Sequence, residues 1–382
     1  MVAAIAFTAT TGTQAAMADP AWQTIPPKFT WPVQIAGDFD AGSAQNAWIV
    51  GGQGAGFIGV FPNVIQFQPK PVLQHWNGSS WTSLKAPGIS GEGLVKNVSV
   101  GSPSSTWILA TDHPENSSLE ILARWNGSTW NHFTAPSLGA QADYFEADAQ
   151  GAWVGHQGSL VLHRYDNTGA STTHTFPAGV WGFESNGSDD AWASGDNFVS
   201  HWDGTSWTTQ TWPDDPNRNF VLTPVGFHEV WATRSIPGGN EMIRWDGSQW
   251  QAVPVPVGVN TWETQKVVKA GGALWVETFR GSEGGPKLLK FNGTAFVETT
   301  GFPAADADPE NIVATSDGRL YVAGGGDREG WLARLDGTQW TRIADLPYSA
   351  SKAPLYPIPG TPSLFQAGHA ASGAFAAATN AL

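Results

Sequence analysis

The apolar positions of this chain fall into short, strand-length runs that recur from near one end to the other. Seven of them open on an aromatic: Trp48, Trp107, Trp153, Trp192, Trp231, Trp275 and Tyr321. Polar turn residues such as Gly187-Ser188-Asp189-Asp190 precede them. A second pattern follows, reading basic–aromatic–Asn/Asp–Gly–Ser/Thr–x–aromatic. It is clearest at residues 75–81, 124–130, 201–207 and 244–250, weaker at 290–296 and 334–340, and degraded from His163 onward. The Asn-Gly or Asp-Gly pair supplies the positive φ of a tight hairpin turn, so each copy predicts two antiparallel strands. One more β-like run, for example residues 95–100 or 220–225, precedes each aromatic-led strand. Four strands, here a to d, thus repeat at roughly 35–60 residues, the spacing of propeller blades.

The chain ends complete the count. Trp22-Gln23-Thr24-Ile25-Pro26 reads as an isolated d strand, like Trp250-Gln251-Ala252-Val253-Pro254. Residues 354–358, 364–369 and 374–378 read as a, b and c strands with no d to follow, and Phe365 falls on the spacing of the b-strand aromatics. Joining the first d strand to the last three strands closes the ring and leaves no unpaired edge. The expectation is an all-β propeller of four-stranded antiparallel blades over residues 19–382, a single domain. Eight blades are expected, with seven as the alternative if the tail contributes none.

Sixteen tryptophans occupy repeat positions, which assigns them to the wedges between blades. They are Trp48, Trp107, Trp153, Trp192, Trp231 and Trp275 on b, Trp76, Trp125, Trp202 and Trp245 on c, and Trp22, Trp81, Trp130, Trp207, Trp250 and Trp340 on d.

Composition fits such a fold, with 45 glycines, 26 prolines and 41% apolar residues against only 14% charged. A net charge of −14 argues against nucleic acid and anionic membrane surfaces as partners. With no cysteine, disulfides, thiolate zinc sites and cysteine nucleophiles are excluded. Residues 1–18 carry no charge, include the apolar stretch 2–7 and end in Ala16-Met17-Ala18, which predicts a secretory signal peptide. No later segment has the ~18 continuous apolar residues of a membrane span.

The quoted repeats resemble the secreted, tryptophan-rich β-propeller proteins of actinomycetes and related soil bacteria, whose blades carry Trp-Ala-Val-Gly and His-Trp-Asp-Gly-Thr-Ser-Trp. The matching stretches are Ala191-Trp192-Ala193-Ser194-Gly195, Ala47-Trp48-Ile49-Val50-Gly51 and residues 201–207. The resemblance covers essentially the whole mature chain and implies an extracellular location. It implies no agreed activity, so no functional residue carries over. Eight-bladed quinoprotein dehydrogenases also repeat tryptophans, but their motif spacing differs and their cofactor-site cysteines are absent here.

Five tryptophans lie outside the repeat. Trp31, Trp212 and Trp262 fall in d–a connections, Trp181 starts an a strand and Trp331 ends a b–c connection. All five map toward the face that usually carries the site in propellers, an argument by fold analogy. They are the expected ligand-binding residues, stacking on sugar rings or an apolar ligand; plugging the channel top is the alternative. The b–c connection of the first full blade, residues 52–71, is the longest and holds Phe57, Phe61, Ile65 and Phe67.

Carboxylates gather in connections as well: Asp112 and Glu115, Asp214 and Asp215, Asp306, Asp308 and Glu310, Asp327 and Glu329. None has the ligand spacing of a dedicated calcium loop, and solvated loop charge is the simpler reading. Ser316-Asp317-Gly318 reads as an a–b turn. His113, His156, His228 and His369 fall near b strands, while His75, His163 and His201 share a position with Arg124, Arg244, Lys290 and Arg334. No nucleophile elbow, P-loop or dinucleotide fingerprint is present.

The expected function is non-catalytic binding of extracellular glycans or cell-surface polymers by a monomer, with no catalytic residue, metal or cofactor assigned. One alternative is a polysaccharide lyase or glycoside hydrolase using His113 or His156 with Asp112 or Glu146. The other is a protein-interaction scaffold.

Overall fold

A computed structural model describes residues 22–25, 34–54, 56–60, 63–112, 121–134, 142–211, 220–226, 229–236, 239–246, 249–256, 264–278, 287–301, 309–325, 330–348, 353–369 and 375–379. Within these residues the backbone forms eight four-stranded antiparallel sheets and one two-stranded hairpin. In each blade the strands lie in the order a-b-c-d. Blade 1 comprises Gln34–Ser43, Asn46–Gln53, Lys70–Trp76 and Trp81–Ser83. Blades 2 and 3 span residues 94–134 and 144–175. Blade 4 comprises Val180–Gly187, Asp190–Gly195, Phe198–Trp202 and Trp207–Thr211. Blades 5, 6 and 7 span 220–253, 264–298 and 309–346.

Blade 8 is assembled from both chain ends. Leu355–Pro357, Leu364–His369 and Phe375–Thr379 supply a, b and c, and Gln23–Thr24 is the fourth strand. The register Gln23↔Thr379 and Thr24↔Ala378 closes the ring antiparallel, which removes the seven-blade alternative. Strand a of each blade touches strand a of the next from blade 1 to blade 8, and the ring closes with strand a of blade 1 against strand b of blade 8. The segment 1–18, expected to be a signal peptide, lies outside the described residues. Among the described residues no helix is long and apolar enough to cross a membrane.

The core is divided as the ring demands. The described buried apolar residues form eight clusters, one for each interface between neighbouring blades. The b-strand tryptophans insert into them as wedges. Trp48 of blade 1 meets Trp125 and Trp130 of blade 2 edge-on, with ring centroids 5.8 and 5.4 Å apart. Trp153 repeats the contact on Trp202 and Trp207, and Trp192 on Trp245 and Trp250. The closing interface packs Ile25 and Phe365 of blade 8 with Phe39, Trp76 and Trp81 of blade 1.

The c–d turns of blades 1, 2, 4, 5 and 6 are longer than a two-residue hairpin, whereas blade 7 pairs Asp336 with Gln339 around two residues. Trp76 pairs directly with Trp81, and Trp202 with Trp207, so four residues form each loop. Only the glycine takes a positive φ (Gly78 94°, Gly204 93°). The preceding Asn or Asp works through its side chain: Asp203 Oδ1 accepts the amides of Thr205 and Ser206, both at 2.8 Å. The motif is therefore an Asx turn followed by a left-handed glycine.

Side chains on strand a also tie neighbouring blades together. Asp38 and Asp40 accept the amides of Val98 and Val100 from blade 2 at 3.2 and 2.7 Å. Ser99 Oγ accepts that of Ala147 from blade 3, and Asn311 Oδ1 that of Leu355 from blade 8.

Candidate functional site

Of the five expected ligand-binding tryptophans, the structure describes two. Trp31, Trp212 and Trp262 lie outside the described residues. Trp331 is a correction: only 6% exposed, it belongs to the apolar cluster between blades 6 and 7. It stands three residues before Arg334 on strand c, the register that Val72, Ile121 and Phe198 fill in other blades, all of them buried. Burial in the blade interface leaves this ring no surface to offer.

Trp181 is exposed, at 44%. It opens strand a of blade 4, directly after the connection from strand d of blade 3. That connection is laced to the b–c turn of blade 3. Val180 N donates to Ser159 O at 2.8 Å, Gly158 N to Val180 O at 2.7 Å and Phe176 N to Leu160 O at 2.9 Å. Gly158 holds φ +76°, and a Cβ there would stand 3.4 Å from the Trp181 ring, so the indole lies against this glycine. Leu160 is exposed beside it in sequence, at 53%.

The same turn carries polar groups next to Gly158 in sequence. Asp143 Oδ2 accepts the Gln157 amide at 2.9 Å and lies 3.8 Å from His156 Nδ1. Tyr144 donates its hydroxyl to Val180 O at 3.3 Å, which links this rim to the innermost strand of blade 3. The result is a half-exposed aromatic plate with one side backed by peptide and a carboxylate and an imidazole nearby. Such a plate suits stacking by a ring with a flat apolar face.

A second group of polar side chains lies on the innermost strands. Asp40, Glu146, Glu184 and Tyr356 occupy the same register, each opposite the b-strand aromatic of its own blade. Burial pushes the Asp38 carboxyl from 3.8 up to about 6 and also raises that of Asp40. Burial, reinforced by the charges of Glu184, Asp40 and Asp38, pushes the Glu146 carboxyl from 4.5 up to about 8. Burial and the charges of Asp38 and Asp40 raise the Tyr356 phenol to about 12. Among the described residues no three His, Asp or Glu side chains converge as metal ligands would.

This acidic ring has a sign for stability. A carboxyl whose acidity falls on folding makes the folded state bind more protons, so stability is greatest near its unfolded value and declines as pH rises through the folded one. For Glu146 that window runs from 4.5 to about 8, and for Asp38 from 3.8 to about 6. We expect the melting temperature to fall between pH 5 and 8, by roughly 2–4 kcal/mol of stability. Glu146→Gln should flatten the upper half of that decline and leave the melting temperature at pH 5 unchanged. A thermal scan showing stability that rises over this range would contradict the assignment.

The remaining sequence candidates are scattered. His156 sits in the blade 3 turn just described, and Asp112 ends the b strand of blade 2, half-buried. His113, His228, Glu115, Asp214, Asp215, Asp306, Asp308, Asp327 and Glu329 lie outside the described residues. Of Glu310 and His369 only the backbone is described. Ser316-Asp317-Gly318 is a turn between strands a and b of blade 7. The long connection 52–71 contains a hairpin, Gly56–Val60 paired with Asn63–Phe67. Sequence reading missed Asp38, Asp40 and Glu184; the available signal was an acidic residue inside strand a, eight residues before Trp48 and Trp192 in two of these cases.

The fold defines a class, the β-propellers. No family model matches the chain, and no curated protein matches it in sequence. Among solved structures it is similar to the computationally designed Ika8 protein (TM-score 0.54, 12% identity, 91% of this chain and 99% of that one). It is similar also to YCF48 bound to D1 peptide (0.50, 13%, 96% and 98%). Virginiamycin B lyase from Staphylococcus aureus aligns at 0.50 and 13%, over 75% and 94%. At such identities the likeness concerns the fold alone.

Proposed function

We propose that this propeller is a secreted, non-catalytic binding protein for extracellular glycans or surface polymers. The reading rests on one observation, the Trp181 indole held half-exposed against Gly158 where a d–a and a b–c connection meet. A sugar ring offers the flat C–H face that stacks on such a plate, and the b–c turn that holds Gly158 also carries His156, with Asp143 bonded to Gln157, as polar groups for its hydroxyls. Each shallow contact is weak, and a polymer gains from engaging several.

The test is a polysaccharide and glycan-array screen with Trp181→Ala beside the parent protein. Binding is expected to fall at least tenfold, a loss of about 1.4 kcal/mol, with the melting temperature nearly unchanged. No binding by the parent protein to any member of the array would sink the proposal.

A second reading, a polysaccharide lyase or hydrolase, draws support from Glu146, a carboxyl held protonated near neutral pH as a general acid requires. It predicts new reducing ends or unsaturated products from the same panel, lost in Glu146→Gln. Absence of any product leaves the binding role.

A further inference from the structure

The repeat builds the same small polar assembly on the face opposite Trp181, where the a–b and c–d connections lie. A basic side chain on strand c lies over the b-strand aromatic and is paired by a group at the end of strand a or the start of strand b. In blade 1, His75 stacks on Trp48 at 4.3 Å and its Nε2 lies 3.0 Å from Asn46 Oδ1. In blade 3, Arg164 stands 5.2 Å from the Trp153 ring centre and 2.6 Å from Asp148. In blade 4, His201 stacks on Trp192 at 4.2 Å and reaches Asp190 at 2.9 Å. Arg244 of blade 5 covers Trp231 at 5.7 Å and meets Glu229 at 3.5 Å. Arg124 and Arg334 are satisfied by the Ser104 carbonyl and by Asp336.

Blade 6 keeps the basic side chain, here Lys290, and the aromatic but lacks the partner. Lys290 Nζ stands 5.2 Å from the Trp275 ring centre. The two positions that supply the partner elsewhere, paired across strands a and b, are Ala270 and Ala273. Among the described residues Lys290 has no hydrogen-bond or ion-pair partner. Where the side chain is missing there is a cavity of about 200 Å³ between blades 6 and 7, lined by Lys290, Trp275, Gly271, Ala273, Gly318 and Gly337 among others. No carboxylate lines it, and the acids flanking it in sequence, Asp317 and Asp336, are ion-paired with Arg319 and Arg334.

We propose that this cavity binds a carboxylate group, which takes the place filled by the Asp190 and Glu229 side chains in blades 4 and 5. The ligand group lies against the Lys290 ammonium and the Trp275 edge, completing from outside the pair that the other blades complete from within. A single cation in a chain of net charge −14 selects a singly charged anion over a phosphate dianion.

The test measures melting temperature against sodium acetate, with sodium chloride at matched ionic strength as reference. A ligand that binds only the folded state raises the melting temperature and saturates. The expected result is a saturable rise of a few degrees specific to acetate, absent in Lys290→Met. Ala273→Asp should also abolish it, because the new side chain occupies the site, and should itself raise the unliganded melting temperature. Glucuronate and N-acetylglycine, run alongside, separate an acidic sugar from a peptide C-terminus as the source of the group. No acetate-specific rise in the parent protein, or a rise that survives in either variant, overturns the proposal.

Discussion

Replacing Trp48 with alanine is expected to cost about 3–5 kcal/mol of folding stability, the range for losing a large buried aromatic. The ring is wholly buried between blades 1 and 2. It stacks on His75, meets Trp125 and Trp130 edge-on, and donates Nε1–H to Asn46 Oδ1 at 2.9 Å. Alanine leaves a void bordered by β-sheet on both sides, and packed strands cannot collapse into it without breaking their ladders. Trp48→Phe keeps most of the apolar volume and loses the indole hydrogen bond, so a smaller loss of about 1–2 kcal/mol is expected. Trp181→Ala is the control, since its ring is half in water and should cost about 1 kcal/mol or less. Urea midpoints for the three variants rank them directly. If Trp48→Ala unfolds no earlier than Trp181→Ala, the wedge role is wrong.

The fold was legible because a propeller repeats its physics. Each blade carries an aromatic on b, and seven of the eight join c to d through a turn motif, so the copies reinforce one another. Even the split blade was readable, since Trp22–Ile25 matches Trp250–Val253 in pattern. The site was much less legible, for three physical reasons. Asp38 and Asp40 share one strand and Glu146 and Glu184 stand in shorter ones beside other polar residues, with bulges in strand a of blades 1 and 4 shifting the register. Their meeting depends on ring closure, which no local pattern encodes. Trp331 stood outside the motif that sets the frame, yet it fills an ordinary core position on strand c. Trp181 is exposed because its neighbour across the connection is Gly158, a relation between two blades.

Removing the N-terminal strand, by a chain that starts at residue 26, is expected to lower stability by at least about 3 kcal/mol and to promote self-association. Three losses combine. Ile25 leaves the cluster that seals blade 8 to blade 1, uncovering Trp76 and Trp81. Trp22 leaves the apolar surface shared by blades 7 and 8. Phe375–Thr379 loses its strand partner and becomes an open edge able to pair with another molecule. The ring makes these effects more than additive, because Gln23–Thr24 is the clasp joining the two ends of the chain. Without it blade 8 is attached through blade 7 and through side-chain packing alone. A peptide carrying residues 19–27, added in trans, should restore the melting temperature in a saturable manner, which a general loss of folding would not permit. Scanning calorimetry and size-exclusion chromatography report both outcomes. A truncated protein that melts and elutes with the parent would show that the clasp contributes nothing and that seven blades suffice to hold the ring.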